Sequence, residues 1–326
     1  MGDYAYSVST TQVAQDGAVA EDLESIKYNA PRFYKSQHRA ITSSDYEVIL
    51  KQHNPLIESV KVWGGEDNIP PIYGKVFISA KPISREVFLA SEKDDMIKWL
   101  RENRSVLTVL PEFVDASILN LEITSSVYYD PTLSADTPDT IRNQVFDAIS
   151  AYAADMNRFN KNFLYSNLVG VIDATHPAIT NNILKLRVRN TVIPYNNVIY
   201  KHVINYANPI RNNGAGGNVW STRFYSHTDN DRVYFRDESD GSIWLYTEDI
   251  YGVATKTREV GSVDYEKGIV TFEMYFRAYY DGIFEIVFEP ESYDLLSVNN
   301  YIISIPMNKA EISVLSSTSN ITASIR

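Results

Sequence analysis

Apolar positions change period several times along this chain, and each change marks an element. Over residues 18–29, Val19, Leu23 and Ile26 recur at helical spacing with Glu21, Asp22 and Glu24 on the other side. That spacing predicts a short amphipathic helix, which Pro31 should end. A second helix begins near Ser44, where Thr42-Ser43-Ser44 supplies a cap, Asp45 and Glu47 occupy the first turn, and Val48, Ile49 and Leu50 follow. Asn54-Pro55 stops it. From Ile57 the period falls to two: Val60 and Val62 alternate with Lys61 and Trp63, then Val76, Ile78 and Ala80 with Lys75, Phe77 and Ser79. Both read as half-buried strands. Ser91 with Asp94 is a capping box for a helix carrying Met96, Ile97, Trp99 and Leu100. A strand over Ile118–Tyr129 follows, then a helix opened by Thr137-Pro138 with Ile141, Val145, Ala148, Ile149, Tyr152 and Met156 on one face. Residues 164–173 predict a short helix and Ile183–Val188 a strand.

After Pro194 the texture shifts. Asn208-Pro209 and the run Asn212 to Asn218, with Gly214, Gly216 and Gly217, read as loops or a linker. Short aromatic-rich strands follow: Val219–Tyr225, Arg232–Phe235, Ile243–Tyr246, Ile269–Phe276, Ile283–Phe288 and Tyr301–Ile305. Asp240-Gly241 and Lys267-Gly268 sit between them as hairpin turns. The Ser/Thr-rich end from Ser316 reads as frayed or awaiting a partner. The expected fold class is α+β and multidomain: a helical segment over residues 1–56, an α+β domain over 57–194 and a mainly β domain over 195–326.

Charge narrows the partners. With 41 acidic against 30 basic residues the formal charge is −11, which argues against nucleic acid, because phosphate affinity comes from clustered Lys and Arg. Lys185, Arg187 and Arg189 form one basic stripe at period two, read as a solvated sheet face. No stretch approaches the ~20 apolar residues that span a bilayer, and no basic segment leads into an apolar core at the start. No membrane partner is expected. The opening Met1-Gly2-Asp3 could be a start placed inside a longer protein. The chain has no cysteine, so disulfides, thiolate metal sites and a Cys nucleophile are excluded together.

Candidate chemistry is sparse. Phosphate-loop, dinucleotide, zincin and nucleophile-elbow motifs are missing, and the Gly214–Gly217 cluster opens no predicted helix. The five histidines, His38, His53, His176, His202 and His227, show no pair at ligand spacing. Asp229-Asn230-Asp231 and Asp237-Glu238-Ser239-Asp240-Gly241 suggest calcium, but aligning Gly241 with an EF-hand turn puts Arg236 and Thr247 at ligand positions. A β-turn is the better account. No catalytic residue, cofactor or metal is therefore expected. The unusual number is 23 tyrosines, beside 13 Phe and 4 Trp. Such aromatics suit cores and protein interfaces. Trp220, Phe224, Tyr225, Tyr234 and Trp244 are the candidate interface residues, each also readable as intradomain core.

One resemblance is specific. Arg39-Ala40-Ile41-Thr42-Ser43-Ser44-Asp45-Tyr46-Glu47, then Val60-Lys61-Val62, Trp63-Gly64-Gly65-Glu66-Asp67 and Pro71-Ile72-Tyr73-Gly74, follow one another in order. Later comes Val260-Gly261-Ser262-Val263-Asp264-Tyr265-Glu266-Lys267-Gly268-Ile269-Val270-Thr271-Phe272. Together they resemble the J-like baseplate family of contractile-tailed phages, and within it the C-terminal half of the wedge proteins of T-even-type myophages. The resemblance implies a structural, non-enzymatic subunit that dimerises and links wedges into a continuous ring in the virion tail. It also implies other wedge subunits as partners and a longer native protein. The alternatives are a carbohydrate- or receptor-binding tail module and, more remotely, a two-carboxylate glycoside hydrolase.

Overall fold

The computed structural model describes residues 23–37, 39–104, 109–226, 232–276 and 284–317. They fall into two units, one formed by residues up to 65 with 73–113, the other by 66–72 with 114 onward. This division differs from the one the texture suggested. Ile57–Gly64 shares a core with the helices before it, and the strands after 195 share a sheet with those before 191.

The first unit holds α1 (Leu23–Ser36), α2 (Ser43–His53), β1 (Ile57–Gly64), β2 (Lys75–Pro82), α3 (Ala90–Asn103) and β3 (Leu110–Phe113). Residues 18–22 of the first expected helix lie outside the described residues. The rest differs from expectation: α1 runs through Pro31, and Leu23 and Ile26 are exposed. The proline forfeits one backbone bond, yet the helix continues because its last turns pack on α2, where Ser36 is buried and donates to the Phe33 carbonyl. Thr42 caps α2 as its sequence demands: the Thr42 Oγ1 accepts from Asp45 N–H and the Asp45 carboxylate accepts from Thr42 N–H. At α3 the reciprocal acid is Glu92, not Asp94. Its carboxylate accepts from Leu89 N–H at 2.8 Å and holds Arg85, so the cap is Leu89 and the helix starts two residues earlier than a cap at Ser91 predicts. β1 and β2 pair antiparallel, β2 and β3 parallel, over a core of Tyr46, Ile49, Leu50, Val60, Ile78, Met96 and Leu100.

The second unit is a 12-stranded sheet with two helices on it. In chain order it holds β4 (Ser117–Tyr129), α4 (Pro138–Met156), α5 (Tyr165–Thr175), β5 (Ile179–Thr191), β6 (Ile199–Asn205), β7 (Val219–Ser221) and β8 (Phe224–Tyr225). Then come β9 (Arg232–Asp237), β10 (Ser242–Glu248), β11 (Ala254–Asp264), β12 (Ile269–Tyr275), β13 (Glu285–Phe288), β14 (Tyr301–Ser304) and β15 (Glu311–Ser316). The strand order is β14-β4-β5-β13-β7-β9-β10-β11-β12-β6, with β15 also on β4 and β8 on β9. Residue 283 of the expected 283–288 strand lies outside the described residues.

Period two places Leu119, Leu121, Ile123 and Val127 of β4 and Leu184, Leu186 and Val188 of β5 inward. There they share one core with Ile141, Val145 and Ile149 of α4 and with Leu168 and Ile172 of α5. The sheet curls on itself. The Phe272 ring on β12 lies 5.4 Å from Phe235 on β9, and Tyr206, just past β6, lies 4.7 Å from Phe288 on β13. Each such aromatic pair adds about 0.5–1.5 kcal/mol beyond its burial. The glycine run is tethered rather than loose: Gly217 N–H donates to the Asp237 carbonyl, and the buried Asp237 carboxylate accepts from Asn218, from Val219 N–H and from the Tyr265 hydroxyl.

Candidate interaction face

β7, β9 and β10 each alternate. Val219, Val233, Phe235, Ile243 and Leu245 enter the core, and the residues between them form the opposite face. On that face the register lines up one row across five neighbouring pairings: Arg189, Val287, Trp220, Arg236, Trp244 and Glu259. A second row runs Tyr234, Tyr246 and Lys256.

Cations cover the rings. Arg187 lies 5.8 Å from the Trp220 centroid, Arg236 4.7 Å from Tyr246, and the Lys256 Nζ 3.9 Å from Trp244. Tyr234 and Tyr246 stack at 5.7 Å with planes 18° apart, and the Tyr246 hydroxyl donates to the Glu238 carboxylate. Burial first, then that carboxylate, pushes the Tyr246 phenol up. The Trp244 Nε1 donates to the Ser242 Oγ at 2.9 Å. At one end of the row Arg189 sits between Glu122 (2.6 Å) and Glu285 (2.8 Å). Burial alone would lower its affinity for a proton, but the two carboxylates outweigh that and hold it above its ordinary value. Arg187 pairs with Glu289. Two of the three stripe residues, Arg187 and Arg189, are thus paired with carboxylates on the sheet face.

Four of the five sequence candidates converge here or beside it. Trp220, Tyr234 and Trp244 are partly exposed on this face, and Tyr225 on β8 lies under Arg232 at 5.6 Å. Phe224 does not belong with them. Its ring is buried between Phe276 and Phe284, at 4.9 and 5.3 Å, because β8 points alternate residues to opposite sides. Sequence reasoning missed Arg187, Arg236, Tyr246 and Lys256 as members of the face. The alternation Arg232-Val233-Tyr234-Phe235-Arg236 carried the signal, since the non-core positions of that strand are all aromatic or cationic.

One arrangement imitates a catalytic triad. The His176 Nε2 lies 3.1 Å from the Asp136 Oδ2 and 3.4 Å from the Ser134 Oγ, while its Nδ1 accepts from Ala178 N–H. A relay needs the acid on one ring nitrogen and the nucleophile on the other. Here both meet the same nitrogen, and the cluster ties a loop to the end of α5. Glu47 on α2 is raised by burial, against the pull of Val62 N–H, and it serves that backbone bond. The Asp237–Gly241 segment is a hairpin turn, with Glu238 N–H on the Ser242 carbonyl and Gly241 N–H on the Glu238 carbonyl. Among the described residues no group of three or more His, Asp or Glu could hold a metal ion, and no helix is long and apolar enough to cross a membrane. His38, His227 and Asp229–Asp231 lie outside the described residues.

Comparison with known proteins follows the same division of the chain. Residues 42–114 match the model of baseplate structural protein gp6, C-terminal domain I, and residues 117–190 match C-terminal domain III of the same protein. The first match coincides with the first unit from α2 onward, and the second begins where β4 begins. Baseplate wedge protein gp6 of Enterobacteria phage T4 is 24% identical over 211 residues, which are 64% of this chain and 31% of that protein. The chain therefore spans about a third of the length of this relative. A baseplate chain of the anti-feeding prophage, from a 6-fold symmetrised cryo-EM structure, is 16% identical with a TM-score of 0.36, covering 51% of this chain and 37% of its own. Residues 42–190 therefore carry, in tandem, two domains similar to the C-terminal domains of baseplate structural protein gp6.

Proposed function

We propose that this protein is a structural subunit of a contractile phage tail baseplate, which dimerises and joins neighbouring wedges into a ring during assembly and sheath contraction. The observation that carries the reading is the tandem of gp6 C-terminal domains I and III across 42–190. The aromatic and cationic sheet face supplies a surface of the composition that protein interfaces favour, with Trp, Tyr and Arg together. Other wedge subunits are the remaining partners, and the virion tail is the location. The role is one of assembly, with no catalytic step.

Light scattering across a concentration series tests the dimer. A durable two-fold contact is expected to exceed ~1,000 Å², and the dimer to persist at low micromolar concentration. A chain that stays monomeric at high micromolar concentration overturns the dimer and leaves the wedge-subunit reading to be carried by other partners. The carbohydrate-binding alternative needs ring faces open to a sugar. On this sheet Trp220, Tyr246 and Trp244 already carry Arg187, Arg236 and Lys256 over their rings, so the protein-contact reading is preferred.

A further inference from the structure

The large sheet ends differently at its two sides. At one end β14 and β15 share the outer edge of β4, covering Ser117–Asn120 and Thr124–Tyr129. At the other end β6 pairs with β12 in unbroken antiparallel register, from Ile269↔Asn205 to Tyr275↔Ile199. Among the described residues no strand pairs with the other side of β6. A free edge is usually blunted by charge, proline, a bulge or brevity. β6 has seven residues, no proline and no register shift, and its one full charge is Lys201. Large apolar side chains flank and occupy it in the open: Ile193 is 89% exposed, Ile199 66% and Tyr195 57%. Beside Ile199 lies a depression of about 560 Å³, lined also by Glu259, Glu273, Met274 and Tyr275.

We propose that this edge receives an extended segment of another polypeptide, paired backbone to backbone along β6. That segment places a carboxylate opposite Lys201 and apolar side chains opposite Ile199 and Val203. The charge argument selects this occupant over a second copy of the chain. A two-fold axis through an antiparallel edge keeps each face on its own side, so self-pairing must be centred on a residue. Centred on Lys201 it sets lysine against lysine, although Ile199 then meets Val203. Centred on Tyr200 or His202 it sets Lys201 against Ile199 or Val203. Like charges directly opposite are destabilising, and a lysine against an aliphatic chain gains nothing from its charge. Lys201 makes no ion pair with another described residue, although Glu273 is its register neighbour on β12. An incoming acid completes it. The contact is β-augmentation: main-chain bonds supply affinity and alternate side chains supply choice.

Amide hydrogen exchange at residues 199–205 tests this on the full chain with two blocked peptides matched to β6 in length. One is Thr-Val-Thr-Glu-Thr-Val-Thr, the other has Lys at its centre. At millimolar concentration the Glu-centred peptide should slow exchange along β6 and bind roughly two- to fivefold more tightly than the Lys-centred one. In Lys201→Glu the preference should reverse. Three results overturn the proposal: neither peptide slows exchange, the preference survives Lys201→Glu, or rising protein concentration alone protects the edge. The last would assign β6 to a second copy. Self-association through the aromatic face is read separately, since Lys201→Glu leaves that face untouched.

Discussion

At the scale of single residues, the side chains that matter most for stability are the few buried charges. Arg189 holds Glu122 and Glu285, whose side chains are only 19% and 15% exposed. Removing the arginine strands Glu285 and leaves Glu122 with Lys309 alone at 3.5 Å, so Arg189→Ala should cost on the order of 2–3 kcal/mol at neutral pH. Glu122 is desolvated, which raises its affinity for a proton, but Arg189 and Lys309 outweigh that and hold it below the usual range. Its stabilising share is therefore present above the unfolded carboxylate range and lost as pH falls through the folded value. Urea melts of both proteins at pH 7 and below pH 4 should show the gap shrinking in acid. Glu47 has the opposite sign. Burial raises it, so its contribution is present below the ordinary carboxylate range and lost as pH rises. Glu47→Gln keeps an acceptor for Val62 N–H and removes the buried charge. It should raise Tm by about 1–2 °C at pH 7 and not at all near pH 4.

Among the elements, the β11–β12 hairpin shows how a turn can depend on what lies outside it. Gly268 has φ +67°, and a Cβ there would sit 2.0 Å from the Asn208 carbonyl oxygen. Gly214 has φ +72° with nothing within 4 Å. Gly214→Ala should therefore cost only the left-handed conformation, about 1–2 kcal/mol, and Gly268→Ala should cost more, on the order of 2–4 kcal/mol, in parallel chemical melts. Equal losses would mean that Asn208 gives way freely. The turn itself was legible from Lys267-Gly268, as were the caps at Thr42 and Thr137, because such signals are local. The neighbour at Asn208 was not legible, being brought there by the pairing of β6 with β12. β6 went unread for a related reason. Its buried position is a histidine, His202, set between the exposed Lys201 and Val203, so Ile199-Tyr200-Lys201-His202-Val203 shows no apolar–polar alternation. Phe224 could not be separated from the interface candidates in sequence, because composition does not say which side of a two-residue strand faces in.

For the whole molecule, the chain passes between the units at residues 65–73 and again near residue 113, and at the last crossing the sequence shows no glycine- or proline-rich linker. Texture marked residue 194 instead, a change from helix-bearing to aromatic-rich sequence inside one sheet. If the aromatic face forms the dimer, Trp244→Ala should raise its dissociation constant at least about tenfold in sedimentation equilibrium. Phe224→Ala should lower Tm and leave association alone, since its ring never leaves the core. The way β15 closes the sheet has a consequence for how the protein is made. Glu311 lies beside Thr124, a separation of 187 residues, and the same strand covers β4 as far as Tyr129. At about 5–20 residues per second, a ribosome needs roughly 10–40 s to deliver the strand that shields β4. During that wait the growing chain carries an unpaired edge of high contact order. Its safe folding then becomes a matter of translation speed and chaperone occupancy.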